Sequence, residues 1–144
     1  TMQKLFLSLI VLFLSIGVIY YFGVRGTYKN SLSINSNTFW VQVVNNDRDR
    51  QLGLSGRYGM CSKCGMLFEF SEERDNRFWM KDMKFDLDMI FIDSNKQIVS
   101  IAKSVKKESY PNTITSELPS QYVLELNDGE VDKLDIKLGD VVKW

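Results

Sequence analysis

Residues 87–105, LDMIFIDSNKQIVSIAKSV, read as a β-hairpin, and the rest of the chain is organised around it. Leu87–Ile92 reads as a strand, with Asp88 preceding the almost wholly apolar Met89–Ile92. Asp93–Ser94–Asn95–Lys96 has the side chains of a turn, and Gln97–Val105 returns as the second arm. Downstream, Tyr122–Leu126 alternates, with Tyr122, Leu124 and Leu126 on one face and Glu125 interrupting the apolar run. Asn127–Asp128–Gly129 breaks that strand and Glu130–Leu134 fits one helical turn. Leu138–Gly139–Asp140 then turns the chain into a closing strand, Val141–Trp144. Between hairpin and strand, Lys106–Ser120 carries Pro111 and Pro119 and reads as a long crossing loop.

Upstream of the hairpin, Phe78–Met80 is a short strand. Met66–Phe70 is another, with Met66, Phe68 and Phe70 facing one way and Leu67 and Glu69 the other. Asp47–Leu54 fits a short helix that Asn45, Asn46 or Asp47 can cap, with Gly53 near its end. Phe39–Val44 is a further strand. Seven or so short strands without a long amphipathic helix predict a mainly β domain, a small sandwich or jelly-roll-like barrel with one or two short helices.

The N-terminus has a different composition. Leu5–Val24 has 20 residues without a charge, of which 14 are Leu, Ile, Val or Phe. As a helix it would span roughly 30 Å, the thickness of a bilayer core. Lys4 and Arg25 bracket it, and Tyr20 and Tyr21 suit an interface. The expectation is a single transmembrane anchor over residues 1–25, a polar tether over 26–37, and a folded domain over 38–144. The rival is a cleaved signal with Ser15–Ile16–Gly17 as its small-x-small site. Charge alone, Lys4 against Arg25 and Lys29, does not set the orientation; the domain is expected outside the cytoplasm because a lone N-terminal anchor usually carries an exported domain.

Charge and composition exclude several chemistries. Residues 1–25 hold Lys4, Arg25 and no acid, leaving 16 basic against 18 acidic residues. Such a domain lacks the positive field that phosphate backbones require, so nucleic acid is not an expected partner. Lys103, Lys106 and Lys107 read as a solvated strand end. The chain contains no histidine, which removes Ser-His-Asp and Cys-His catalysis and imidazole-ligated zinc. Cys61 and Cys64 are a lone Cys-x-x-Cys pair, two thiols where structural zinc needs four ligands. A local disulfide and free thiols both remain open. Met60, Met66, Met80, Met83 and Met89 read as core filler in apolar strands more readily than as a soft-metal site. No cofactor or metal is expected.

Several segments occur in a recognisable order: Gly53–Leu54–Ser55–Gly56–Arg57, Gly65–Met66–Leu67–Phe68, Phe78–Trp79–Met80–Lys81–Asp82–Met83, Leu87–Asp88–Met89–Ile90–Phe91–Ile92–Asp93, Tyr122–Gly129 and Gly139–Asp140. This series resembles the family called domain of unknown function 192, over nearly all of Phe39–Trp144. The resemblance implies a compact, mainly β domain, often exported behind a signal or anchor, with sugar binding suggested only by analogy of fold. The chain departs from the family at Ser55, where methionine is common, at Asp82–Met83, where Asn-Thr is usual, and at Asp86, where proline is common.

The charged residues set into apolar strands are the candidate site. Arg57, Lys81, Asp82, Asp88 and Glu125 could converge beside Trp79 as a polar cleft with an aromatic floor, an arrangement suited to a sugar. The competing reading places these groups on the solvent face or pairs Arg57 and Lys81 with Asp88 and Glu125. A glycosidase would further require Asp88 and Glu125 to face each other across a bond to be cleaved. The leading expectation is a membrane-tethered, extracytoplasmic, non-catalytic domain binding a carbohydrate or another envelope component. Its alternatives are a structural or protein-interaction domain and a polysaccharide hydrolase.

Overall fold

The computed structural model describes residues 6–15 and 28–144. Residues 6–15 are helical, with exposed side chains. The remainder of the expected anchor, including Ser15–Ile16–Gly17 beyond its first residue, lies outside the described residues. Among the described residues no helix is long and apolar enough to cross a membrane.

Nine strands follow: β1 (Asn30–Ile34), β2 (Asn37–Val44), β3 (Cys64–Arg74), β4 (Arg77–Trp79), β5 (Leu87–Ile92), β6 (Ile98–Val105), β7 (Thr113–Thr115), β8 (Ser120–Asn127) and β9 (Val142–Lys143). Seven form one sheet in the order β6-β5-β8-β3-β2-β1-β9, while β4 and β7 pair as a separate ribbon. All neighbours in the large sheet are antiparallel except β2 and β3. A parallel pair needs a crossover, and Asn45–Lys63 supplies it through the helix Asp47–Leu52. Asn46 caps that helix by accepting from the Asp49 amide at 3.0 Å.

The β5–β6 hairpin forms as the sequence implies, with the Asp93 carboxylate accepting from the Gln97 amide at 2.7 Å. Its partner in space is distant in sequence. Residues around the start of β6 hydrogen-bond to the segment entering β9: Ile98 N to Asp140 O, Gly139 N to Ile98 O and Val142 N to Lys96 O, each at 2.9 Å. The two edges of the sheet therefore meet at one end, and the sheet curls into a half-barrel. This differs from the sandwich or jelly roll expected, because one sheet bent on itself buries its inner face without a second sheet opposite. Lys96 seals the join, its ammonium 3.5 Å from the Tyr122 ring centre and 3.6 Å from that of Trp144.

Two apolar clusters occupy the two faces. The first holds Leu32, Ile34, Phe39, Leu67, Ile90, Leu124, Leu126, Ile98 and Val142. Since both edge strands contribute to it, it is the inside of the curl. The second, with Met66, Phe68, Phe70, Met89, Phe91 and Val123, lies on the outer face of the central strands. Leu54 from the crossover and Met80, Phe78 and Ile114 from around the ribbon cover it. The facing assigned to Met66, Phe68 and Phe70 from their spacing agrees with this division.

Three segments differ from the sequence reading. β1 begins at Asn30 within the expected tether; its Leu32 and Ile34 are buried, so the domain starts earlier than residue 38. Its polar composition hid it, because only alternate residues reach the core. β7 lies within the expected loop Lys106–Ser120 and is only three residues long, too short for a periodicity. The third is β3, which runs on to Arg74, its last four residues exposed.

Gly65 is required by the close approach of β3 to β8. A Cβ there would lie 2.8 Å from the Glu125 carbonyl oxygen and 2.9 Å from a Leu126 methyl. Backbone cannot yield as a side chain can, so Gly65→Ala should destabilise the domain by about 1–3 kcal/mol. Urea denaturation checks this, and an unchanged midpoint would contradict it.

Candidate functional site

A cleft of about 250 Å³ opens on the outer face of the sheet. Its walls come from three layers: the helix Asp47–Leu52 with the turn through Ser55, strand β3 with Phe68, Phe70 and Arg74, and the ribbon with Arg77, Phe78 and Trp79. Glu125 is part of its lining. The period of two along β8 puts Tyr122, Leu124 and Leu126 inside the curl, and so aims Val123 and Glu125 outward. Glu125 pairs in register with Met66 on β3 and Met89 on β5. Thioether and methylene groups therefore flank the carboxyl on both sides.

Glu125 is only 5 % exposed, and among the described residues no group hydrogen-bonds to its carboxyl. Burial pushes its pKa from the ordinary 4.5 up to about 8, against the opposing field of the Arg57 guanidinium. Arg57 approaches but forms no ion pair with it; its guanidinium donates to Gln42 Oε1 at 2.7 Å. At neutral pH the cleft thus contains a protonated carboxyl able both to donate and to accept.

The aromatic wall was anticipated at Trp79 alone. Trp79 is 46 % exposed, and Phe78 behind it packs edge-on against Phe68 at 4.9 Å. Phe70 carries two guanidinium groups near its ring, Arg50 at 5.1 Å and Arg74 at 5.0 Å. Arg50 is further engaged by the Glu69 carbonyl and the Asp47 carboxylate, both at 2.7 Å. Arg74 and Arg77 are exposed and form no ion pair among the described residues. Of these, Phe68 and Phe70 had a legible signal in their common facing. The arginines had none, since their place depends on β3 running past Phe70 and on the ribbon.

The other sequence candidates separate from the cleft. Asp88 lies on the inner side of the sheet, opposite Leu126, and is 1 % exposed. It accepts from the amides of Ser104 and Val131, both at 2.9 Å, tying β6 and the Glu130–Lys133 turn to β5. Asp88 and Glu125 thus occupy opposite faces and cannot flank one bond, which removes the glycosidase pair read from the sequence. Nor do Arg57 and Lys81 neutralise them. Lys81 and Asp82 are exposed on the turn after β4, where their carbonyls accept from Ser55 Oγ and Gly56 N at 2.9 Å. Asp82 has φ of +58°, a conformation that asparagine and aspartate tolerate, so backbone geometry accounts for either residue at this position. Asp86 accepts from Lys106 Nζ at 2.8 Å and the Lys107 amide at 2.9 Å, and Lys106 holds its carboxyl below the usual range. Lys103 pairs with Asp132 and Lys107 with Glu108, leaving no free basic patch there.

Cys61 and Cys64 are joined as a disulfide at the entrance to β3. So small a loop contributes little closure entropy, and the bond braces the end of the crossover. Among the described residues, no three Cys, Asp or Glu side chains gather as a metal site.

The fold and cleft define a class of small domain: a single curled sheet with a covered, acid-containing hollow on its outside. The family described as uncharacterized ACR, DUF192, matches residues 30–144, and the chain belongs to it. A crystal structure from Sinorhizobium meliloti 1021, assigned by name only as a transcription regulator, is similar at 33 % identity and TM-score 0.75. The match covers 78 % of this chain and 91 % of that one. A protein of unknown function from Novosphingobium aromaticivorans DSM 12444 shares the fold at TM-score 0.75 and 24 % identity, over 79 % and 84 % of the two chains. No curated protein matches.

Two buried carboxyls on one sheet make opposite predictions. Asp88→Ala strands two amides in the interior and should cost about 3 kcal/mol in chemical denaturation. Glu125→Gln removes an ionisable group that the folded chain keeps protonated to about pH 8 and an unfolded chain releases near 4.5. Over that interval the folded state binds more protons, so wild-type stability falls as pH rises. The melting temperature of Glu125→Gln should gain on wild type between about pH 5 and about pH 8. A gap that does not change with pH would count against a buried neutral acid.

Proposed function

We propose that this domain is a non-catalytic ligand-binding module whose cleft takes a small ring with one apolar face, a sugar being the best fit. The observation that carries the reading is the meeting, in one cleft, of the Glu125 carboxyl, unpartnered among the described residues, with the half-exposed Trp79 ring. Sugar hydroxyls need paired donors and acceptors, while the axial C–H face stacks on an indole. A protonated carboxyl can fill both hydrogen-bonding roles for one hydroxyl.

Hydrolysis has less support, because the second acid it needs is not Asp88. The other acid in the cleft, Asp47, is already engaged by Arg50 at 2.7 Å. A role in transcription, borrowed from the Sinorhizobium protein, has less support in a domain with more acid than base. The apolar run Leu5–Val24 supports a site of action at a membrane, with the cleft on the extracytoplasmic side.

A glycan screen with the full chain tests this reading. Trp79→Ala should weaken any sugar it identifies by about tenfold, the loss of one stacking platform. Equal binding by wild type and variant would end it.

A further inference from the structure

The charge around the cleft narrows the class of ligand further. Arg50 and Asp47 form an ion pair at 2.7 Å and cancel. Arg74 and Arg77 remain, exposed at the rim and without an acidic partner among the described residues. Glu125, nine-tenths buried with no hydrogen-bond partner among the described residues, lines the same cleft. An acid kept from ionising adds no negative charge, so the cleft presents two uncompensated cations and one O–H donor.

We propose that the ligand is an acidic saccharide, a sugar ring that stacks on Trp79 and turns a carboxylate toward Arg74 and Arg77. This rests on the sugar-binding reading above and specifies its substrate class. Guanidinium groups match the two oxygens of a carboxylate, and the ring of Phe70 steadies Arg74 from one side at 5.0 Å. The Glu125 hydroxyl donates to an oxygen of the same ligand. Once ionised, it would repel that carboxylate.

The charged groups near Glu125 and along its cleft bear on that last point. Arg57 approaches from the crossover; Asp47 and Arg50 stand on the helix, Arg74 on β3 and Arg77 on the ribbon. On the adjacent strands, Met66 and Met89 flank it without charge. With Arg50 paired to Asp47 and Arg57 donating to Gln42, Arg74 and Arg77 favour an anion as long as Glu125 holds its proton, which burial secures up to about pH 8.

Calorimetric titration of the full chain with oligosaccharides of galacturonic acid, and with their neutral galactose counterparts, decides the matter. At about pH 6 the acidic series should bind at least roughly tenfold more tightly. Arg74→Gln with Arg77→Gln should abolish that preference and leave weak neutral binding dependent on Trp79. Raising the pH past about 8 should erode acidic binding by wild type but not by Glu125→Gln, which keeps a donor without the charge. Equal affinity for both series, or a preference that survives loss of both arginines, overturns the acidic class while sugar binding stands. Binding of neither series, or binding indifferent to Trp79→Ala, overturns both. Failure of Glu125→Gln to bind the acidic series would show that the carboxylate itself is needed, and the assignment would be wrong.

Discussion

Three backbone hydrogen bonds where the start of β6 meets the approach to β9 govern how the molecule divides its apolar side chains. By joining the edges of the sheet at one end, they turn one face into an interior that needs no second sheet, only Val131, Leu134 and Ile136 from the helical turn after β8 and the residues that follow it. Ile34, Leu124 and Ile92 pack there against residues from the opposite edge. The other face is then convex, and has to be covered by whatever the connections supply. A six-residue helix, a glycine-rich turn and a two-stranded ribbon form that cover. They close over Met66, Met89 and Phe91 but leave a hollow over Glu125. The candidate site therefore exists because inner closure is nearly complete and outer closure is not.

Two acids show how differently one sheet can accommodate burial. Asp88 is held by two backbone amides, which is the ordinary way to place a carboxylate in a core. Glu125 has neither amide nor ion pair among the described residues, and a guanidinium that could have paired with it is spent on Gln42. A group left in that state costs stability without returning structure. Arrangements of this kind cluster where a protein meets a ligand, which is why Glu125 rather than Asp88 anchors the functional reading.

Much of the fold was legible because it follows from a period of two. Phe39–Val44 and Tyr122–Leu126 lie within strands as their alternation implies, and Leu87–Ile92 as its nearly unbroken apolar run implies. So do the hairpin turn at Asp93 and the helical turn after Gly129. Strand β1 was not legible, because Asn30, Ser31 and Ser33 look like a linker unless its partner β2 is known. The curl was hidden for a deeper reason, since Lys96 and Val142 are far apart in sequence and each is locally unremarkable. In the site, Trp79 and Glu125 could be singled out as an exposed ring and a misplaced acid. Whether Asp88 shared their face depended on registers between β5 and β8 that no local pattern encodes.

The parallel pairing of β2 and β3 governs how a molecule could enter and leave the hollow. The segment that forms one wall is the crossover between those strands, so its ends emerge from adjacent central positions in the sheet. The disulfide at Cys61–Cys64 clamps the second end. Both ends of that wall are therefore fixed at its base. The hollow lies between the helix and the ribbon, with Trp79 and Arg77 exposed along its border.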